Sequence, residues 1–164
     1  MLYKVGIITA SDKGFAGERK DLSGPAIEEI ISKSKAFEVG KYVILPDEKD
    51  QLMKEMCEMA DVDHLDLILT TGGTGFSKRD VTPEATLAVI ERRTAGIPEY
   101  IRKISFDVTP RAMLSRAEAG IRGNTLIVNM PGSPKSIREI LDSLMPSIEH
   151  GLGILQGHES DCAR

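Results

Sequence analysis

Hydrophobic and polar positions form blocks along the chain, and these blocks predict strands and helices in alternation. Short apolar runs predict strands at Tyr3–Thr9, Phe37–Leu45 and Leu65–Thr71. The segments between them carry apolar residues at helical spacing, which predicts one helix that starts at Ser23 and another over Lys49–Ala60. The first half of the chain therefore has the pattern strand, helix, strand, helix, strand.

The second half continues this alternation with a different ending. Predicted helices begin near Thr82, Pro98 and Ser136, and the last of them is long. The predicted strands Ser115–Gly120 and Thr125–Asn129 flank a Gly-Asn pair that is typical of a tight turn. We therefore expect a β-hairpin before the last helix.

Alternating strands and helices indicate an α/β fold in which a mostly parallel central sheet is covered by helices on both faces, a three-layer α/β/α arrangement. The chain has 164 residues, which suits one domain. We assign residues 1–156 to that domain and expect the polar segment 157–164 to be a flexible tail.

Composition narrows the possible partners and the compartment. The net charge of −4 argues against general nucleic-acid binding, although it permits a local basic pocket. Cys57 and Cys162 have no metal-site spacing and suggest no disulfide framework. The first strand starts at once, with no leader pattern, and no apolar run is long enough to cross a membrane. These features predict a cytoplasmic protein with no membrane contact.

Ligands of parallel sheets bind at the carboxyl ends of the strands, so the loops that follow the strands are the candidate site. The loops expected at this edge are Ser11–Gly14, Pro46–Glu48, Gly72–Asp80 and Pro131–Lys135. This arrangement would bring Asp47, Asp80 and Lys135 together.

The loop Gly72–Gly75, with the sequence GGTG, directly follows a strand. Glycines allow backbone N–H groups to surround an anion, and the following helix start favours negative charge; a turn that only needs positive φ is the alternative. The patterns of P-loop and dinucleotide-binding sites are absent. Asp80 could hold a cation or only favour a helix start, and Asp47 could equally be a helix cap. Lys135 opposes the dipole of the last helix, a cost that phosphate binding would explain.

Two long motifs carry a resemblance to a known family. The segments TTGGTGFSKRDVTPEAT (Thr70–Thr86) and LSRAEAGIRGNTLIVNMPGSPKS (Leu114–Ser136) resemble the molybdenum cofactor biosynthesis family, and the similarity spans nearly the whole chain. The resemblance implies an α/β fold and a homotrimer. It also implies that ATP and molybdopterin react, with Mg²⁺, to give adenylylated molybdopterin and pyrophosphate, and that a downstream molybdenum-insertion protein receives the product.

The resemblance also implies roles for individual residues. The family's two functional aspartates correspond to Asp47 and Asp80, which we expect to be catalytic and to bind the metal. The other matching positions imply substrate binding by Ser11, Asp12, Gly72, Gly73, Thr74, Gly75, Ser115, Asn129, Pro131, Gly132, Ser133 and Lys135.

Other functions stay open at this point. A sister branch of the family shares the GGTG and RDVT motifs, and it implies a protein that binds molybdopterin without adenylylating it. The segments Leu114–Arg116 and Ser133–Lys135 favour the transferase branch. A third possibility is an interaction domain whose glycine loop is only structural.

Overall fold

The computed structural model describes residues 1–159, and they form three layers with a six-stranded sheet in the middle. The strands are β1 (Tyr3–Ala10), β2 (Phe37–Leu45), β3 (Leu67–Thr71), β4 (Arg92–Arg93), β5 (Ala119–Arg122) and β6 (Thr125–Met130). The helices are α1 (Asp12–Phe15), α2 (Ser23–Lys33), α3 (Lys49–Cys57), α4 (Thr82–Val89), α5 (Gly96–Phe106) and α6 (Pro134–Leu155). A π-helical turn (Glu58–Val62) follows α3, and a 3₁₀ helix (Pro110–Leu114) follows α5.

The sheet has the strand order β2-β1-β3-β6-β5-β4. The four strands from β2 to β6 pair in parallel, whereas β5 and β4 extend the sheet with antiparallel pairs. The chain moves outward from β1 to β2 and then crosses to the other side of β1 to form β3. A crevice opens at such a reversal of strand order, and it lies beyond the carboxyl ends of β1 and β3.

Each face of the sheet has its own apolar core because successive strand residues point to opposite faces. Val5 and Ile7 of β1 face one core, which α2, α5 and α6 cover. Ile8 faces the other core, which receives Leu52 and Met56 from α3 together with residues of α4. The expected three-layer α/β/α fold with a mostly parallel sheet is confirmed.

The structure differs from the sequence expectations in local detail. The loop predicted after β1 contains the short helix α1, because the Ser11 side chain accepts a hydrogen bond from the Gly14 N–H. Strand β5 begins at Ala119, later than predicted. The preceding residues are bound elsewhere: Arg102 donates to the carbonyls of Ser115 and Ala117. The predicted hairpin of β5 and β6 forms as expected.

The end of the described chain turns back on α6. The N–H groups of His158 and Glu159 both donate to the Gly153 carbonyl. The remainder of the predicted tail, residues 160–164, lies outside the described residues. None of the helices in residues 1–159 combines the length and the apolar character that a membrane span requires.

Candidate active site

A cavity of about 470 Å³ lies at the crevice between the carboxyl ends of β1 and β3. Four strand-end segments contribute to its wall, as the sequence predicts, and the segment before α2 adds a further side. The lining residues are Thr9, Ala10, Ser11, Gly14, Arg19, Lys20, Asp21, Leu22, Ser23, Asp47, Thr71, Gly72, Gly73, Asp80, Gly132 and Pro134. Asp47 and Asp80 therefore face the same space although 33 residues separate them in the chain.

The first two glycines of the GGTG loop form the floor of this cavity. Gly72 and Gly73 have φ angles of +88° and +71°, which favour glycine strongly. A Cβ atom on Gly72 would collide with the carbonyl oxygen of Ala10, so β1 and the loop can approach closely only with glycine here. The Gly73 N–H donates no hydrogen bond to residues 1–159, and it is available for an anion. The loop therefore has both the positive φ angles of a tight turn and a backbone N–H group without a hydrogen-bond partner in residues 1–159.

The loop after the glycines is attached to the start of α4. The Thr82 hydroxyl donates to the Gly72 carbonyl over 2.9 Å, and the Thr82 N–H donates to the Gly73 carbonyl over 3.1 Å. Asp80 is held by its own loop, since its Oδ2 accepts a hydrogen bond from the Ser77 N–H at 3.0 Å. These bonds fix the Asp80 carboxylate near the cavity.

Asp47 is joined to Asp12 by a reciprocal pair of hydrogen bonds. The Asp12 N–H donates to Asp47 Oδ2 at 2.9 Å, and the Asp47 N–H donates to Asp12 Oδ1 at 2.9 Å. Burial raises the pKa of the Asp47 carboxyl, and the negative charges of Asp12 and Asp80 add to this rise. An N–H donor from Asp12 opposes it. Asp47 therefore carries a charge that its surroundings disfavour.

Arg79 connects the glycine loop to the loops after β1 and β2. Its guanidinium donates to both carboxylate oxygens of Asp12, at 3.0 and 2.9 Å, and to Glu48 at 2.8 Å. Hydrogen bonds from Arg79 hold the pKa of Asp12 below its usual value. Because Asp12 in turn binds Asp47, Arg79 links the two loops that carry Asp47 and Asp80.

Arg116 holds the other side of the glycine loop. Its Nε donates to the Gly75 carbonyl and its Nη2 to the Asp80 carbonyl, both at 2.7 Å, while Nη1 pairs with Glu84. The Arg116 N–H also donates to the Thr74 carbonyl at 2.9 Å. One arginine thus contacts the beginning and the end of the segment that positions Asp80. The sequence reasoning used Arg116 only as part of a motif and gave it no role.

Several predicted substrate-binding residues do not line the cavity. Asn129 is fully buried, and its amide donates to Thr70 and Thr86 while its oxygen accepts from the Glu118 N–H. Its side chain therefore joins β3, α4 and β6 and does not line the cavity, and its substrate contact stays a prediction. Its low exposure follows from its position in the central strand β6, where every residue is buried.

The other residues of the last predicted loop are divided between the cavity and the surface. Gly132 lines the cavity and its carbonyl accepts from Ser23. Ser133 caps α6 by accepting from the Ser136 N–H. The Lys135 side chain is 79% exposed and lies 4.0 Å from Glu139, so the expected meeting of Lys135 with the two aspartates is wrong for this structure.

The remaining predicted positions act through their backbone or lie behind the loop. Ser11 lines the cavity as predicted. Pro131 contributes its carbonyl, which accepts from the Thr71 hydroxyl at 2.7 Å. Thr74, Gly75 and Ser115 lie outside the lining, on the side where Arg116 binds the loop.

The sequence reasoning missed the wall formed by residues 19–23. No site role was predicted for these residues, yet Arg19, Lys20, Asp21 and Ser23 all line the cavity. No motif marks Arg19, Lys20 and Asp21, and the one signal beside them is the predicted helix start at Ser23. These residues reach the cavity because Asp21 contacts Thr9 at the end of β1, and the local sequence pattern does not predict that contact.

Comparison with known proteins identifies the family of this chain. The family model described as "Probable molybdopterin binding domain" matches residues 6–150. The chain belongs to this family. The match includes every element from β1 into α6 and therefore all four strand-end loops of the cavity.

Family members with curated names are similar over most of this chain. The molybdopterin adenylyltransferase of Helicobacter pylori strain J99 is 42% identical over 155 residues, which cover 94% of this chain and 88% of the relative. The molybdopterin adenylyltransferase of Escherichia coli K12 is 40% identical over 155 residues, covering 91% and 79%. A solved structure of the molybdopterin biosynthesis enzyme MoaB from Thermus thermophilus has a TM-score of 0.89 at 47% identity, covering 95% of this chain and 98% of that one.

The donor set of this family member fits a magnesium ion that is shared with a phosphate ligand. Asp47 and Asp80 each use Oδ2 for a backbone N–H, and within residues 1–159 their Oδ1 atoms accept no hydrogen bond. The described residues contain no cluster of three or more protein ligands for a metal. Mg²⁺ commonly uses one or two carboxylates and completes its shell with phosphates and water. Two free carboxylate oxygens at one cavity meet that requirement.

Proposed function

We propose that this chain is a molybdopterin adenylyltransferase that uses ATP as the adenylyl donor. The observation that carries the proposal is the placement of Asp47 and Asp80 at one cavity, above Gly72 and Gly73. The similarity to named molybdopterin adenylyltransferases over more than nine tenths of the chain supports it.

The reaction joins a phosphate oxygen of molybdopterin to the α-phosphorus of ATP. The bond between the α-phosphorus and the oxygen that bridges to the β-phosphate breaks, and pyrophosphate leaves with the electron pair. The attacking phosphate is largely ionised near neutral pH, so no general base is needed. The protein must mainly position three negatively charged groups and reduce their repulsion.

The residues of the cavity suit these tasks. Mg²⁺, held by Asp47 and Asp80, would neutralise charge that develops on the phosphates of ATP. Gly73 offers its free N–H to a phosphate oxygen. Asp47 and Gly73 closely follow β2 and β3, which pair with β1 over eight and five residues, so their positions are well fixed. Rigid placement favours an in-line approach of the two substrates.

The test is release of pyrophosphate from purified protein, ATP, Mg²⁺ and molybdopterin. The wild type should release pyrophosphate, and Asp80→Asn should lower kcat by a factor of at least about 10² because one ligand of the metal is weakened. The melting temperature of the variant should stay near that of the wild type. Wild-type turnover by Asp80→Asn would show that Asp80 has no catalytic role.

The same experiment separates the transferase from a non-catalytic member of the family. A protein that only binds molybdopterin would retain the pterin but release no pyrophosphate with ATP. The solved relative MoaB is described as a molybdopterin biosynthesis enzyme, which fits either member.

The assembly and the cellular setting complete the proposal. We infer a homotrimer that acts in the cytoplasm and passes adenylylated molybdopterin to a protein that inserts molybdenum. Several large apolar side chains near the end of α5 support assembly because they are exposed in the single chain, namely Phe106, Val108, Met113 and Leu114.

A further inference from the structure

Two cations line the cavity without an ionic partner. Arg19 and Lys20 belong to the segment between α1 and α2, and neither forms an ion pair within residues 1–159. The other charged residues of the lining are Asp21, Asp47 and Asp80, all acidic. A polyphosphate in this cavity would therefore meet three carboxylates, and Arg19 and Lys20 are the cationic side chains of the described wall.

The segment that carries these cations is anchored in place. Asp21 accepts hydrogen bonds from the Thr9 hydroxyl at 2.7 Å, from the Tyr42 hydroxyl, and from the N–H groups of Ser23 and Gly24 at 3.0 and 3.2 Å. Asp21 thereby occupies the first N–H groups of α2, so the start of that helix is not left open for a ligand. Its anchor at Thr9 keeps the preceding two residues beside the end of β1.

The start of the segment is also tied down. The N–H groups of Glu18 and Arg19 donate to the Lys13 carbonyl at 2.9 and 3.3 Å, after a turn at Gly17 with φ of +76°. Arg19 and Lys20 thus lie between two fixed points, the Lys13 carbonyl and Asp21. Their backbone is ordered by hydrogen bonds while their side chains remain exposed and unpaired.

The two arginines beside the glycine loop have ionic partners. Arg79 is bound to Asp12 and Glu48, and Arg116 is bound to Glu84 and to two loop carbonyls. Lys135, for which phosphate binding was expected, does not line the cavity, and its ammonium lies 4.0 Å from Glu139.

We propose that Arg19 and Lys20 bind the polyphosphate of the nucleotide in the cavity that Asp47 and Asp80 also line. This inference rests on the proposed function, since it assigns the charge recognition of that same site. A nucleoside triphosphate carries more negative charge than a phosphate monoester, so it benefits most from two cations beside three carboxylates. Binding through the β- and γ-phosphates also leaves these cations in contact with pyrophosphate as it departs.

The test compares two double variants that remove the same charge. Arg19→Gln/Lys20→Gln removes the cavity cations. Lys35→Gln/Lys54→Gln removes two exposed lysines that form no ion pair in the described chain and do not line the cavity. Inorganic pyrophosphate with Mg²⁺ is the probe, titrated calorimetrically into each full-length protein. We expect about tenfold weaker binding for the first variant, which corresponds to the loss of about one charge-assisted hydrogen bond. We expect no change beyond about twofold for the second.

Kinetics then identify which phosphate the pair recognises. In Arg19→Gln/Lys20→Gln, KM for ATP should rise about tenfold while KM for molybdopterin stays near the wild-type value. A rise confined to molybdopterin would overturn the assignment to the polyphosphate, and so would equal binding of pyrophosphate by both double variants.

The binding measurement is independent of turnover. If the wild type binds pyrophosphate through this pair but transfers no adenylyl group, the proposed reaction fails while the anion site stands. If the wild type turns over and the cavity variant matches it in pyrophosphate affinity and in KM for ATP, the reaction stands and the anion site fails. Melting temperatures of the two variants verify that both are folded.

Discussion

Ionisation of the Asp47 carboxyl group costs free energy in the ligand-free protein because the group is partly buried. Its carboxyl pKa lies above the ordinary value of 3.8, first because of burial and then because Asp12 and Asp80 are nearby. Below pH 3.8 the group is neutral in both the folded and the unfolded chain and has no effect on stability. As the pH rises through 3.8 towards the folded pKa, the unfolded chain ionises first, and the folded state loses relative stability. Above the folded pKa that loss is constant.

We therefore expect Asp47→Asn to raise the free energy of unfolding at neutral pH in the absence of ligand. The gain should grow from about pH 4 upward and then level off, and urea unfolding at a series of pH values measures it. The amide oxygen can still accept the Asp12 N–H. The same variant should lose turnover, since the amide is a poorer metal ligand than the carboxylate.

A suitable control is Asp50→Asn, which changes an exposed acid in the first turn of α3. Its stability should stay level or fall slightly at neutral pH, because a negative charge favours a helix start. If Asp47→Asn is less stable than the wild type at neutral pH, the cost of the buried charge is smaller than the structure indicates.

The conformation of the loop between β3 and α4 depends on its contacts with neighbouring strands and helices. Gly72 illustrates this dependence, because a Cβ atom there would meet the backbone of Ala10 at the end of β1. We expect Gly72→Ala to lower the free energy of unfolding by at least about 2 kcal/mol, since both the positive φ and the backbone contact penalise a side chain. Urea unfolding tests this expectation.

Gly151 provides the comparison, because a Cβ atom there would enter open space on α6. Gly151→Ala should raise stability by about 0.5–1 kcal/mol through helix propensity. If the free energy of unfolding of Gly72→Ala lies within about 0.5 kcal/mol of the wild-type value, the loop can move away from β1 without loss of stability.

Arg116 joins the start of β5 to the loop that carries Asp80. Arg116→Met removes the hydrogen bonds to the carbonyls of Gly75 and Asp80 and the ion pair with Glu84. We expect kcat to fall by about 10–100-fold with a smaller change in KM for ATP, because the loop would hold Asp80 less accurately. Arg116→Lys should recover only part of kcat, since one ammonium cannot reproduce the planar guanidinium contacts.

Arg93→Met serves as the matched variant, because Arg93 is an exposed arginine whose ion pair joins it to Glu118. Its kcat should equal that of the wild type. Equal losses in Arg93→Met and Arg116→Met, or full activity in Arg116→Met, would remove the case for Arg116 as a positioning residue.

At the scale of the whole molecule, the exposed apolar side chains near the end of α5 predict association. Sedimentation at equilibrium should give three times the chain mass of 17.9 kDa. Phe106→Ser/Met113→Ser should weaken assembly if these exposed side chains, at 47% and 63%, are buried between copies. Phe76→Ser, which changes a 72% exposed side chain on the glycine loop, is the control. A monomeric wild type would exclude the proposed trimer.

The order of strands and turns along the chain could be predicted largely from the local sequence pattern. Apolar runs predicted β1, β2 and β3, and the GGTG loop marked the end of β3, because strands and tight turns depend on neighbouring residues. The place of both aspartates at one sheet edge also followed, since parallel strands end at a common edge. The predicted helix starts at Ser23 and Thr82 agree with α2 and α4.

Only the tertiary structure decided which side chains reach the cavity. Asn129 became a candidate through the family resemblance but is buried among β3, α4 and β6, and Lys135 is exposed on α6. Arg19 and Lys20 reach the cavity because Asp21 bonds to Thr9 and Tyr42, which lie 12 and 21 residues away in the chain. Local spacing determines elements and turns. The direction of an individual side chain depends on contacts between elements that are distant in sequence, and no local pattern encodes those contacts.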